Sequence, residues 1–196
     1  MRIAFILESG EIDSIMNPKE ASISSKQMYQ IENNGFSLLG MHKSYMMENA
    51  GHGLADFIIS KMGSLSGKSI VSICGTGNNG GDAIVASRHL AGYYGANVTV
   101  VIFGNPDEIS TEECSANWNL IKKMRSIRIF SGPNVLESAA EEISNGDIII
   151  DGIFGTGIKG NIREPHSSAI DMINNSKGYI VSVSYTHLTL PTTSRV

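Results

Sequence analysis

Two glycine-rich strings in this sequence carry residue types that bind nucleotides, and each follows an apolar run. The first reads Gly75-Thr-Gly-Asn-Asn-Gly-Gly-Asp82. Gly75, Gly77 and Gly80 satisfy G-x-G-x-x-G between a predicted strand and a predicted helix, the setting that fingerprint requires. Glycines let backbone approach a phosphate, and a helix starting at Asp82 would direct free amides toward an anion. The amides of Asn78 and Asn79 can bond ligand oxygens or ring substituents. Asp82 divides evenly between two roles, helix cap and ligand contact. A tight turn needs one or two glycines, so the four in this string argue against a turn alone. The acid that grips ribose in a standard dinucleotide site is missing, because Val101-Ile-Phe-Gly104 offers none before Asp107.

The second string reads Asp151-Gly-Ile-Phe-Gly-Thr-Gly-Ile-Lys-Gly-Asn-Ile-Arg-Glu-Pro165. Asp151 closes an apolar run, the place where a sheet delivers a carboxylate to its binding edge. Gly155, Gly157 and Gly160 make a loop able to hug a phosphate, with Lys159 inside it. Such a lysine can partner a phosphate or, desolvated, move a proton. Taken without its surroundings, a solvated loop lysine is the better reading.

Other chemistry finds little support. Only Cys74 and Cys114 are present, too few for a disulfide framework or a cysteine zinc site, and they fit a reducing cytosol. Cys74 lies in an apolar run and reads as a buried thiol. The five histidines show no close ligand spacing. A net charge of −4 with no basic stripe argues against nucleic acid. Lys122, Lys123 and Arg125 read as a solvated helix face. No apolar run reaches membrane-span length, and the burst from Ile3 to Leu7 is too short for a signal-peptide core. The expectation is a cytoplasmic protein.

The elements that must position the two strings alternate strand and helix. Residues 1–22 read as a weakly structured extension punctuated by Gly10, Asn17 and Pro18. Helices are predicted from Ser24 or Ser25 to Gly35, with Met28 and Ile31 one turn apart, and over 43–62. In the second, Met47, Leu54, Ile58 and Met62 share a face. Then come strand 69–74, helix 82–94, strand 97–103, and helix 111–125 capped by Ser110. Strand 128–130, helix 134–143, strand 147–151, helix 167–174 and strand 179–183 follow. Apolar strands without alternation, each separated by a helix, mean an α/β fold. The expectation is a Rossmann-like three-layer sandwich, its mostly parallel sheet covered by helices on both faces. Ligands bind such sheets beyond the carboxyl ends of the strands, where both strings lie.

Together the strings resemble the NAD(P)H-hydrate epimerase family, the N-terminal YjeF-type domain. Four blocks match in order: Tyr45-Met-Met-Glu-Asn-Ala-Gly51, the 75–82 string continuing into Val85-Ala-Ser-Arg-His-Leu90, the 151–165 string, and Ile180-Val-Ser-Val183. The combination of Asn-Asn-Gly-Gly-Asp with Asp-x-x-Phe-Gly-x-Gly-x-x-Gly-x-x-Arg-x-Pro is highly specific, and the resemblance covers a domain at 23–183. It implies an isomerase interconverting the R and S forms of hydrated NADH and NADPH, NADHX and NADPHX. It further implies that Asn78, Asn79, Gly80, Gly81 and Asp82 bind the nucleotide, together with Gly155, Thr156, Gly157, Ile158, Lys159, Gly160 and Asn161. Asn79 and Asp151 would hold one potassium ion, as oxygen ligands suit a hard cation. Lys159 matches the catalytic lysine. A homodimer is implied, as is a possible place at the N-terminal end of a bifunctional epimerase/dehydratase.

The lysine's usual partner in the family is an aspartate in a Val-Asp-x-Pro-Ser-Gly string after the last strand. Here the chain continues Ser184-Tyr-Thr-His-Leu-Thr-Leu-Pro-Thr-Thr-Ser-Arg-Val196, without that aspartate or the potassium-binding serine. Residues 183–192 match the translation of a transposon mosaic-end adapter, so 184–196 reads as an artefactual tail. The chain as written is therefore expected to be inactive and poorly stable. Two competing readings remain: a nucleotide-binding or interaction module of the same fold without catalysis, and an NAD(P)-dependent dehydrogenase, weakened by the absent ribose acid.

Overall fold

The computed structural model describes residues 6–7, 25–155 and 162–183, with side chains from Met28 onward. Among these residues the elements in chain order are β1 (Ile6–Leu7), α1 (Ser25–Leu39), α2 (Lys43–Met62), β2 (Ser69–Cys74), α3 (Asn78–Gly92) and β3 (Asn97–Ile102). A 3-10 turn, Pro106–Glu108, leads to α4 (Glu112–Ile121), β4 (Ile127–Phe130), α5 (Val135–Ser138) and α6 (Ala140–Asn145). β5 (Ile148–Gly152), α7 (His166–Asn174) and β6 (Tyr179–Ser182) complete the described chain.

The strands lie in the order β1-β6-β5-β2-β3-β4. β6, β5, β2, β3 and β4 are all parallel, with Ile73 beside Asp151 and Asp151 beside Ser182 in register. β1 runs antiparallel to β6, pairing Ile6 with Ser182 and Leu7 with Val181. The expected three-layer sandwich is therefore present, and the extension at 1–22 adds a two-residue edge strand that its composition did not announce.

The sheet is buried on both faces, which is why its strands read as unbroken apolar runs. Ile70 and Cys74 of β2, with Val98, Val100, Ile102, Ile148 and Ile150, pack against α2, α3 and α4. Val71, Ile73, Val101, Ile149 and Ile180 turn the other way, onto α5, α6 and α7. One polar pair interrupts the first layer. Ser87 Oγ on α3 lies 2.7 Å from Ser72 Oγ and 2.8 Å from Ala83 O, so both buried hydroxyls are satisfied.

α2 and α3 meet at a glycine. A Cβ on Gly51 would fall 2.4 Å from Val85 Cβ and 2.7 Å from Asp82 O, so only glycine permits this crossing. Glu48 of α2 bridges Arg88 and His89 of α3, the latter through Nε2 at 2.8 Å. α4 is capped by Thr111, whose Oγ1 accepts from Cys114 N, where Ser110 was expected.

Three further boundaries depart from the sequence reading. α3 begins at Asn78, four residues before the expected start, so the whole Asn-Asn-Gly-Gly-Asp string is helix. The helix expected over 134–143 is two short pieces, with Asn134 left-handed at φ 55° and Ala139 at φ −104° between the pieces. α4 stops at Ile121 because Lys122 to Ser126 must turn back into β4; Lys122, Lys123 and Arg125 are exposed, but on that turn.

Candidate active site

The carboxyl ends of β2 and β5 are fastened together before either loop leaves the sheet. Gly75 N donates to Gly152 O at 3.0 Å. The glycines here serve contact between backbones. A Cβ on Gly75 would sit 2.2 Å from Ile153 O, one on Gly80 1.9 Å from Gly75 O, and one on Gly152 2.9 Å from Asn79 O. Gly81 is also buried, against Met47 and Cys114 of α2 and α4. Gly80 and Gly81, expected to touch a ligand, are thus first of all the contact surface between α3 and its surroundings.

What α3 does offer a ligand is its amino end. Gly77 precedes the helix with no side-chain cap, and Gly81 N donates to Gly77 O to open the helical ladder. The amides of Asn78, Asn79 and Gly80 precede that ladder and carry the positive end of the helix dipole. Asn78 is exposed there and Asn79 partly so.

Asn79 also reaches across to β5. Its Nδ2 donates to Phe154 O at 2.8 Å. From the other side Asp151, 2% exposed, accepts Ile153 N on Oδ1 at 3.1 Å. The two residues expected to ligate potassium therefore both hold the 153–154 backbone. Gly155 follows directly, with Asn79 Oδ1 3.7 Å from where its Cβ would be. Thr156, Gly157, Ile158, Lys159, Gly160 and Asn161 lie outside the described residues.

Asp82 is in the second turn of α3, which removes the cap reading left open by the sequence. Desolvation, reinforced by the Glu32 carboxylate of α1, pushes its carboxyl up to about 8. Burial also raises the Cys114 thiol to about 11, with Asp82 and Glu113 adding to it, so neither cysteine is a ready thiolate.

Three rings the sequence reading did not single out stand beside the second string. His166, at the start of α7, stacks on Phe154 with centroids 4.8 Å apart and planes 23° apart. Its edge meets Phe103, the residue after β3, at 4.9 Å and 81°. Phe154 lay in plain view inside the motif; His166, just past it, had no spacing to mark it. Along the same edge Ser110 N donates to Thr76 O at 3.0 Å, joining the first string to an open cleft lined by Thr111, Glu112 and Asn119.

The family described as YjeF-related protein N-terminus matches residues 43–185. The chain belongs to this family. Its YjeF domain is 45% identical over 161 residues to an NAD(P)H-hydrate epimerase of Nitrosopumilus maritimus, covering 82% of this chain and 72% of that one. It is 51% identical over 152 residues to an NAD(P)H-hydrate epimerase of Cenarchaeum symbiosum, covering 78% of this chain and 67% of that one. A bifunctional NAD(P)H-hydrate repair enzyme Nnr of Methanothermobacter thermautotrophicus is 40% identical over 74% of this chain, which spans 27% of that enzyme. The crystal structure of yeast ynu0 superposes on the YjeF domain with a TM-score of 0.66 at 27% identity, covering 84% of this chain and 70% of that one. The fold seen here is that of a solved relative.

Proposed function

We propose that this YjeF domain is an NAD(P)H-hydrate epimerase, an isomerase that interconverts the R and S forms of NADHX and NADPHX in cytoplasmic cofactor repair. The observation that carries the proposal is the meeting of the two strings. Asn79 on the uncapped end of α3 holds Phe154 O, and Asp151 holds Ile153 N. Gly155 therefore stands beside the amides that suit a pyrophosphate. Both archaeal relatives named above carry this activity in their names, and the Nnr relative supports a bifunctional repair protein as one setting for the domain.

The chemistry needs little beyond a placed proton donor. Carbon six of the hydrated ring carries nitrogen and hydroxyl together. Lys159 donates a proton to the departing hydroxyl, which leaves as water while the ring nitrogen's lone pair forms an iminium; water then adds from the other face and gives its proton back to the neutral lysine amine. Asn78 and Asn79 with the first-turn amides hold the nucleotide, as do Gly155 and Asn161. Asp82, neutral up to about 8, can donate a hydrogen bond rather than repel the phosphates.

The donor set also suits one potassium ion. Asn79 donates through Nδ2 and presents Oδ1 as an oxygen ligand, and Asp151 supplies a carboxylate that is 2% exposed. A hard monovalent cation takes such all-oxygen sets. When bound, it would supply positive charge beside the ligand's anionic groups.

The deciding experiment replaces residues 184–196 by a segment carrying the family's Asp-x-Pro-Ser-Gly string directly after Val183. The graft is expected to epimerise NADHX, with Lys159→Ala lowering kcat by at least about a hundredfold. A folded graft that binds NADHX without epimerising it would instead be the non-catalytic module. One that does neither, yet moves hydride between NADH and a ketone, would be the dehydrogenase.

A further inference from the structure

The loop after β3 is tied to the first glycine string. Gly104, at φ 119°, brings the exit of β3 against Thr76, where a Cβ would lie 3.1 Å from Thr76 Cγ2. Further on, Ser110 N and Ser110 Oγ both donate to Thr76 O, at 3.0 and 3.2 Å. Thr76 directly precedes Gly77, the residue at which α3 opens. The cleft of about 480 Å³ that Ser110 helps to line therefore adjoins the amino end of α3. Its wall carries Glu112, Ser115 and Asn119 from one face of α4. Thr111 Oγ1 caps that helix by accepting from Cys114 N, which leaves these three side chains as the groups a ligand would meet. Among the described residues none of the three side chains has a hydrogen-bond or ion-pair partner.

In a dinucleotide fold the pyrophosphate sits at the first helix amino end, and the adenosine ribose lies toward the next strand, where an acid grips its hydroxyls. The end of β3 supplies no acid, since Val101, Ile102, Phe103 and Gly104 occupy that place. We propose that Glu112, at the start of α4, supplies the acid from one element further along, with Ser115 and Asn119 completing a subsite for the adenosine ribose. The inference rests on the reading of the α3 amino end as the pyrophosphate site. A solvated helix face would carry the same residue types. This one differs in its concavity and in its attachment, through Ser110, to the string that opens α3. A carboxylate accepts hydrogen bonds and donates none, so it suits a ribose diol and opposes a phosphate in the same place. The subsite therefore selects the hydrate of NADH over that of NADPH.

The test is calorimetric binding of two probes without a nicotinamide ring, ADP-ribose and 2′-phospho-ADP-ribose, to the full chain. The parent is expected to bind ADP-ribose at least about tenfold more tightly than its phosphorylated form, from hydrogen bonds to a charged group gained and like-charge contact avoided. Glu112→Gln keeps size and removes charge, and should shrink that ratio by about fivefold or more. Glu112 is exposed, so the variant is expected to melt with the parent. Glu141→Gln, which removes an exposed charge on α6 beneath the other face of the sheet, should leave the ratio unchanged. Equal affinity of the parent for the two probes overturns the subsite. So does an unchanged ratio in Glu112→Gln, an equal change in Glu141→Gln, or a folded chain that binds no ADP-ribose. In the grafted chain Glu112→Gln should lower kcat/KM for NADHX relative to NADPHX. A graft that epimerises neither hydrate, while Glu112 still sets the ADP-ribose ratio, keeps the subsite and overturns the epimerase reading instead.

Discussion

At the residue scale, glycines in one string do different jobs. Gly77 has open space where a Cβ would go and an ordinary extended backbone at φ −104°. Gly80 has a backbone oxygen at 1.9 Å in that place. Gly80→Ala is therefore expected to cost about 1–3 kcal/mol, the range for forced overpacking, and Gly77→Ala well under 1 kcal/mol. Urea melts of the two variants measure the contrast, and equal costs would contradict the close approach. Asn79→Ala is expected to lose about 1 kcal/mol through the orphaned Phe154 carbonyl, and to weaken NADHX binding in the graft. From sequence alone these roles look identical, since G-x-G-x-x-G records where side chains are absent, not what stands in their place. The candidate ligands Asn79 and Asp151 were legible by type and position. The bond of Asn79 to the Phe154 carbonyl was not, because a bond between residues 75 positions apart has no local trace.

At the element scale, legibility tracked burial. β2 and α2 have the bounds read from sequence, Ser69–Cys74 and Lys43–Met62, because a fully buried strand and a long helix leave strong periodic marks. The start of α3 was misplaced because asparagine and glycine are poor helix formers. Contacts of Gly80 with Gly75 and of Gly81 with Met47 override that preference. The seam between α2 and α3 gives a prediction of its own. Arg88 and His89 both turn to Glu48, and Arg88 Nε is buried without a partner of its own. Glu48→Ala leaves the guanidinium partly buried and unpaired, and is expected to destabilise by about 1–3 kcal/mol. Glu48→Gln, which keeps hydrogen-bonding capacity, should cost less. Calorimetric midpoints of both variants check the order.

At the scale of the whole molecule, protonation and surface composition make two predictions. Folded Asp82 keeps its proton up to about 8, against 3.8 for the ordinary carboxyl. Between these values the native state binds the extra proton, so stability falls as pH rises through that window and levels off above it. Asp147 works in the opposite sense, since the Ser69 amide and Lys68 hold it below the usual carboxylate range; its contribution is complete above 3.8 and is lost on acidification. Asp82→Asn should flatten the decline between pH 4 and 8 in equilibrium melts, and an unchanged slope would exclude Asp82 as its source. No described helix is long and apolar enough to cross a membrane. A patch nevertheless lies bare on α1 and the start of α2: Tyr29, Ile31, Phe36, Leu38, Leu39, Met41 and Tyr45 are 43–78% exposed. An apolar patch of this extent is a candidate surface for self-association. If this face closes the homodimer that the family resemblance implies, Leu38→Glu with Leu39→Glu is expected to lower the light-scattering mass from dimer to monomer, and an unchanged mass excludes the face.

The close approach of Gly75, Gly80 and Gly152 has a consequence for how such sequences are diagnosed. Selection for folding alone guards these positions, since backbone atoms from two strands and a helix occupy the room that any side chain would need. A descendant could therefore shed its chemistry and still carry the glycine string untouched. The string testifies to ancestry and architecture. Evidence of a working catalyst has to come from positions that folding leaves free to drift.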